Sequence, residues 1–432
     1  MLNLINGAAD FINQQIYDQL SQNRLEDLDT TVVETMSKRR YLFENESDYH
    51  NFLQKLDNRL EDLERGSLPS FLIIPSYACN LNCTYCYEKA YDIHHSPFQD
   101  KKQIIDQQFD IISKIIEEIP QNDKTGFKKE DIKITIMGGE PLLPSNQLLI
   151  GYILKKIASQ GYRANIVTNG VDISTFIPDL KNEVVDHIQI TLDGPKRVHD
   201  RRRKFGNGLG SFDLILSNIK KALAAGIKIY LRVNVDQENI DSLPQLADLI
   251  TEHFKTNSNI HPYLYLMQDG GCSGEQNVLE ENVGIETIFT LEKQFPQMAV
   301  FQKKYHPSGF IEAIFSNKVF QPALRHCGAA RNQYILDYKG NIYKCWHGIG
   351  NSDFRVGHFD QKPQFNEKRD KWLNRSTTNL EKCSVCKYRY ICGTGCPAAK
   401  HGGSAISDLD KPNCVDYGKL IDILVREHLK QV

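Results

Sequence analysis

Phe71-Leu72-Ile73-Ile74-Pro75-Ser76-Tyr77-Ala78-Cys79-Asn80-Leu81-Asn82-Cys83-Thr84-Tyr85-Cys86 decides how this chain is read. An apolar strand runs straight into three cysteines at spacings of four and three. In α/β folds, ligands gather at the carboxyl ends of strands, so these thiols stand where chemistry is expected. Their spacing lets three thiolates converge on one cubane if the loop wraps it. A [4Fe–4S] cluster normally takes four Cys ligands, so three would leave one iron open to an exogenous ligand. Zinc completed by a distant His is the alternative, although structural zinc favours C-x-x-C pairs in a closed tetrahedral set.

Working outward, buried-type strands recur at Ser70–Ser76, Ile132–Met137, Ala164–Thr168, His187–Leu192, Ile227–Val235 and Ile260–Met267. Helical patterns lie between them near Lys102–Ile119, Asn146–Ser159, Ser211–Ala225 and Ser242–Phe254, with a short one near Ile173. Six β/α units in order predict a parallel sheet, either an open doubly wound sheet or a partial barrel. Residues 1–66 read as a small helical unit with 13 acidic and 7 basic side chains, a net −6. Asp10 is placed to cap a helix carrying Ile12, Ile16 and Leu20, and a second helix runs from about Ser47 to a cap at Gly66. After about Asn277 the alternation fades. From Cys327 to Cys414 the chain is rich in Cys, Gly, Lys and Asn, with short strands at Gln333–Tyr338 and Asn341–Cys345 around a Lys339-Gly340 turn. So core-poor a region needs metal staples.

Composition narrows the function classes. The chain has 432 residues, 41% apolar and 25% charged, with 28 Gly and 16 Pro, as an ordinary globular protein has. A net charge of −2 gives no global field for nucleic acid or an anionic membrane. No apolar run approaches the roughly 18 residues of a membrane span, and no basic residue precedes Arg24, so a secretory signal is not expected and the cytoplasm is the expected location. Eleven cysteines, three within residues 79–86 and seven from 327 on, speak for metal or redox chemistry rather than a disulfide framework.

The motif Cys79-x3-Cys83-x2-Cys86, with Tyr85 just before the last Cys, resembles that of the radical S-adenosylmethionine (radical SAM) superfamily. Later strand ends agree with it. The second ends in Met137-Gly138-Gly139-Glu140-Pro141, similar to the family's G-G-E-P motif, the third in Thr168-Asn169-Gly170, and the fourth in Thr191-Leu192-Asp193-Gly194-Pro195. The resemblance covers roughly Pro69–Met267 and implies a partial (β/α)6 TIM barrel. It also implies that S-adenosyl-L-methionine (SAM) chelates the open iron and is cleaved to a 5′-deoxyadenosyl radical. Tyr85, Gly138, Gly139, Glu140, Asn169, Thr191 and Arg203 are the implied cofactor-binding residues, with Glu140 able to accept from an ammonium. The run Arg201–Arg203 reads first as a solvated face.

Cys327, Cys345, Cys383-x2-Cys386-x5-Cys392-x3-Cys396 and Cys414 resemble the seven-cysteine SPASM domain of radical SAM enzymes acting on peptides and proteins. By position, Cys383, Cys386, Cys392 and Cys414 fill one auxiliary [4Fe–4S] cluster, and Cys327, Cys345 and Cys396 bind another. Three clusters are thus expected, and the last has a second open iron unless Cys272, the candidate catalytic residue, supplies a ligand. A zinc ribbon is the alternative for this set. The expected organisation is a helical region at 1–66, a candidate for leader-peptide recognition, a barrel at 67–276, a bridging region at 277–326 and a loop-rich iron–sulfur domain at 327–432.

The resemblance implies crosslinking of a ribosomally made precursor peptide through a thioether, C–C or C–O bond, with flavodoxin or ferredoxin as electron donor. Epimerisation is one alternative. Anaerobic sulfatase maturation is another, but Trp346 stands where those enzymes carry an acidic residue, and they place four cysteines on the first auxiliary cluster. An electron carrier would need the cysteines but not G-G-E-P, and a zinc-binding module would need neither barrel nor open iron.

Overall fold

Seven parallel strands follow one another across a sheet in the order in which the chain makes them: β1 (Ser70–Ile74), β2 (Lys133–Ile136), β3 (Arg163–Thr168), β4 (Val185–Thr191), β5 (Ile229–Val235), β6 (Ile260–Leu266) and the short β7 (Gln302–Lys303). The order never reverses, so the sheet is wound one way, as in a partial barrel; the doubly wound alternative is excluded. This computed structural model describes residues 1–88, 102–119, 127–267, 277–303, 308–316, 318–399 and 409–430.

The strands carry near-continuous buried runs, as parallel strands covered on both faces must. Phe71, Ile73 and Ile74 of β1 are fully buried, as are Ile134 and Ile136 of β2 and Leu231, Val233 and Val235 of β5. The outer helices supply the other half of that core. Helix α4 (Lys102–Glu118) contributes Ile105, Phe109, Ile111, Ile112 and Ile115, and α5 (Gln147–Gln160) contributes Ile150, Ile153, Leu154 and Ile157. Gly161 ends α5 in the left-handed conformation that only glycine adopts freely. Helices α6 (Ile173–Leu180), α7 (Lys196–Arg202), α8 (Phe212–Ala224), α9 (Leu243–Phe254) and α10 (Glu281–Gln294) complete the ring.

The sheet does not stop at β1. Strand β8 (Gln333–Asp337) pairs in parallel with β1 on the side away from β2, and β9 (Asn341–Tyr343), β10 (Arg355–Phe359) and β11 (Pro363–Phe365) extend it as an antiparallel meander. Eleven strands thus form one sheet joining the barrel to the cysteine-rich segment. Beneath the segment lie α11 (Ser308–Phe315), α12 (Glu367–Asn374), two single-turn helices at 381–384 and 389–392, and the C-terminal helix at Tyr417–Leu429.

At the N-terminus the helices are α1 (Gln14–Ser21), α2 (Thr30–Lys38) and α3 (Glu46–Arg65). The expected Asp10 cap is not formed. Asn13 caps α1 by accepting from the Ile16 amide, while Asp10 pairs with Arg39 and accepts from the Tyr41 hydroxyl. Gly66 does terminate α3, with an ordinary negative φ of −86°.

Helix α3 is fastened to the cysteine-rich segment. Its carboxylates Asp57, Glu61 and Glu64 lie on one face, at spacings of four and three. Glu61 takes both ends of the Arg325 guanidinium at 2.8 Å, Glu64 pairs with Arg325 and Arg331 at 3.0 Å, and Asp57 pairs with Arg389. Among the described residues, no helix is long and apolar enough to cross a membrane.

Candidate active site

The loop after β1 carries Cys79, Cys83 and Cys86 over the carboxyl ends of β2–β5. It is held by backbone bonds to the stretch after β4: the Asn82 amide donates to the Lys204 carbonyl at 2.7 Å, and the Thr84 amide to the Arg202 carbonyl at 2.9 Å. Asn80 secures the other side, accepting from Asn169 at 2.7 Å and donating to Asp172 at 2.8 Å. Asn169 Nδ2 also stands 3.9 Å from the Cys79 sulfur. Burial pushes the Cys79 thiol well up, and the neighbouring Glu140, Cys83 and Cys86 push the same way. Such a set favours a positively charged partner.

Gly138 and Gly139 are explained by this loop. A Cβ on Gly139 would meet the carbonyl oxygens of Tyr77 and Ala78 at 2.3 and 2.4 Å, and one on Gly138 would meet that of Ser76 at 2.5 Å. The glycines therefore let the end of β2 lie against the backbone leading to Cys79, and the Glu140 amide donates to Ala78 at 2.8 Å. The Glu140 carboxylate is engaged as well. It accepts from the Thr168 hydroxyl and the Asn169 amide, both at 2.6 Å, and from the Leu142 amide at 2.8 Å. Burial pushes it up to about 7.

Around Tyr85 lies a buried ionic network. Its hydroxyl donates to Asp193 Oδ2 and accepts from Arg203 at 2.6 Å and from Asn234 at 3.2 Å. Arg202 stacks on the Tyr85 ring at 4.9 Å and grips both oxygens of Asp236 at 2.8 and 2.7 Å. The expected solvated face is therefore wrong for two of its three arginines. Only Arg201 faces solvent, while Arg202 and Arg203 are 1% and 8% exposed. A run of like charges on a short helix looks solvated in sequence, but the helix turn sends Arg202 inward to acids at the ends of β4 and β5. Asp236, directly after β5, was missed, although the strand-end rule that picked out Asp193 also points to it. Thr191, at the end of β4, is buried beside Arg232 of β5 in the pairing register.

The remaining described cysteines lie in two neighbourhoods. Cys383 has Cys414 and Cys386 as charge neighbours, and Cys392 has Cys383, Cys386 and Cys414. Cys396 neighbours Cys327, and burial pushes both it and Cys392 up to about 11. Cys345 joins Cys327 and Cys396 in lining a cavity. Among the described residues, no three Cys, His, Asp or Glu side chains close to metal-holding geometry. The donors are thus grouped by the fold without being drawn onto an ion. Their chemistry, soft thiols in separate clusters, fits iron–sulfur ligation. Cys272 lies outside the described residues.

That cavity, about 1550 Å³, opens between two walls. One is the barrel, with Arg232, Tyr263, Tyr265 and Met267; the other is the cysteine-rich segment, with Cys327, Cys345, Trp346, His347 and Cys396. Tyr87, just past Cys86, has both Cys86 and Cys345 as charge neighbours, so the first thiol loop and this wall meet there.

Comparison with known proteins agrees with the geometry. Residues 73–250 match the family model described as the radical SAM superfamily. A cysteine-type anaerobic sulfatase-maturating enzyme of Clostridium novyi is 23% identical over 345 residues, 76% of this chain and 87% of that protein. Among solved structures, anSMEcpe with bound AdoMet superposes with a TM-score of 0.61 at 16% identity, over 84% of this chain and 97% of its own. Streptococcus suis SuiB bound to the precursor peptide SuiA gives 0.52 at 14% identity, over 91% and 89%.

Proposed function

From the premise that this chain carries a radical SAM domain at residues 73–250, we propose that it modifies a ribosomally made peptide by forming a crosslink within it. When bound at Cys79, Cys83 and Cys86, a [4Fe–4S] cluster with SAM supplies reductive cleavage to a 5′-deoxyadenosyl radical able to take a hydrogen atom from the substrate.

The observation that carries the reading is the cavity. At about 1550 Å³ it exceeds the ~300–1,000 Å³ of small-molecule sites, and it runs from barrel strands to thiols. An extended peptide suits a space of that size and shape. The chain's own residues then divide the work. Tyr85, its hydroxyl engaged by Asp193, Arg203 and Asn234, positions the Arg203 guanidinium beside the first thiol loop, and Asn169 and Glu140 fix that loop against β3. Cys327, Cys345 and Cys396 line the opposite wall and would hold a second iron–sulfur group, which would supply an open iron or an electron acceptor there. Flavodoxin or ferredoxin is the reductant we expect. Sulfatase maturation is the second reading, supported by the Clostridium relative and opposed by Trp346 and the three-thiol set.

Iron and acid-labile sulfide per chain, measured after anaerobic purification, test the assignment first. About 12 iron atoms are expected for three cubanes. A value near four would remove the two C-terminal clusters and the main support for a peptide maturase. Reaction with a cysteine-containing peptide then separates the two chemistries. Crosslinking removes two hydrogens and keeps the sulfur, whereas formylglycine formation releases it.

A further inference from the structure

Buried arginines in this protein are spoken for. Arg202 grips Asp236, Arg325 grips Glu61 and Glu64, Arg389 pairs with Asp57, and Arg375 donates to the carbonyls of Lys411 and Thr394. Arg232 differs. It rises from the middle of β5 into the large cavity, its guanidinium lies 3.9 Å over the Tyr265 ring, and its Nε donates to Asn234 at 2.7 Å. Among the described residues, no carboxylate forms an ion pair with it. Glu280 and Glu281 line the same cavity. Its position is central, since Tyr87, Tyr263, Tyr265 and His347 all have it as a charge neighbour.

A guanidinium laid over the Tyr265 ring, with Nε tied to Asn234 and the Tyr263 hydroxyl bonded to it, keeps further N–H donors at the cavity wall. Guanidinium N–H donors match a carboxylate in parallel hydrogen bonds. In a cavity partly closed to water the pairing is stronger than at a surface. Among the described residues no carboxylate closes an ion pair on it, which leaves the guanidinium suited to an acid brought by a ligand.

We propose that Arg232 is a carboxylate anchor in the substrate cavity, seating an acidic residue of the peptide beside the carbon to be attacked. This deepens the peptide-maturase reading and rests on it, and it names a substrate class: peptides with Asp or Glu at or next to the modified position. The methionyl carboxylate of SAM shares the same chemistry and is the other possible source.

The test uses immobilised, anaerobically reconstituted holoenzyme and a synthetic peptide pool with random flanks, in which one central position is Asp, Glu, Asn or Gln. Retained peptides are counted by mass spectrometry. Wild-type protein is expected to enrich acidic over amide members roughly tenfold, the worth of one charge-assisted pair. Arg232→Gln should bring the ratio near one, and Arg232→Lys, a charge without a fork, should fall between. Equilibrium dialysis with labelled SAM forms the second arm. A tenfold loss of SAM retention in Arg232→Gln, with no acid preference in wild type, would assign the anchor to SAM and overturn the peptide assignment. An acid preference equal in wild type and Arg232→Gln would overturn the anchor itself. Iron content and dithionite-driven 5′-deoxyadenosine formation are recorded throughout. Their failure in wild type would sink the radical reading independently of the enrichment ratio.

Discussion

Glu140 shows how a residue's type is readable while its task is not. In sequence it stands in a strand-end motif, free to meet an ammonium; in the fold its oxygens already hold Thr168, Asn169 and Leu142. Burial raises it from an ordinary 4.5 to about 7. Between those values the folded state keeps a proton that the unfolded chain has lost, so stability falls as pH rises through that window and is level above it. The full swing is on the order of 3 kcal/mol. Glu88, raised by burial to about 8, titrates across the same window, so Glu140→Gln should remove Glu140's share of the decline in urea midpoints measured at pH 5 and pH 7.5. Asp337, also raised by burial, leaves a residual slope. An unchanged decline in the variant would show that Glu140 does not carry it. The cysteines were legible because spacing alone marks them. Arg202 and Arg232 were not, because an arginine's value depends on which acids the fold brings to it.

At the scale of elements, the six main strands and the helices between them could be read from apolar runs, since parallel strands bury both faces. Helices α2, α7, α10, α11 and α12 and the C-terminal helix at Tyr417–Leu429 were missed. The tie between α3 and the cysteine-rich segment could not be read either. Acids at 57, 61 and 64 look like a solvated stripe until Arg325, Arg331 and Arg389 arrive from the far end of the chain. Those arginines stand beside or between cysteines, so α3 should position those thiols. Neutralising both Glu61 and Glu64 to Gln leaves the Arg325 guanidinium buried without an anion, a loss of roughly 3–5 kcal/mol for such a pair. Iron is expected to fall from about 12 towards 4 per chain, with the cluster at Cys79, Cys83 and Cys86 retained. Full iron in that double variant, with an unchanged melting temperature, would show α3 to be a passive neighbour.

For the whole molecule, sequence supports a barrel followed by a separate iron–sulfur region, whereas the fold runs one sheet through both. Strands β8 and β9 were legible as short strands around Lys339-Gly340. That β8 pairs with β1 was not, because nothing local records a pairing between residues so far apart. Tyr77, donating to Asp337 at 2.8 Å, seals that junction just before the first cysteine. A chain ending at residue 326 would expose the whole edge of β1, and bare edges pair with one another. Such a truncation should be recovered mainly as aggregate, with its cysteines at 79–86 unable to keep iron. Recovery of a soluble, iron-bearing monomer would show instead that the barrel closes without its eighth strand.

The same junction sets a timetable. Tyr77 and Asp337 are 260 residues apart, and a ribosome adding about 5–20 residues each second needs roughly 13–50 s to cover that distance. Throughout that interval the nascent first thiol loop has a neighbour on one side only. Iron delivered then would meet half a cradle, so metal loading belongs after β8 has been made and paired, and a cell short of folding helpers should accumulate the colourless chain before it loses the enzyme.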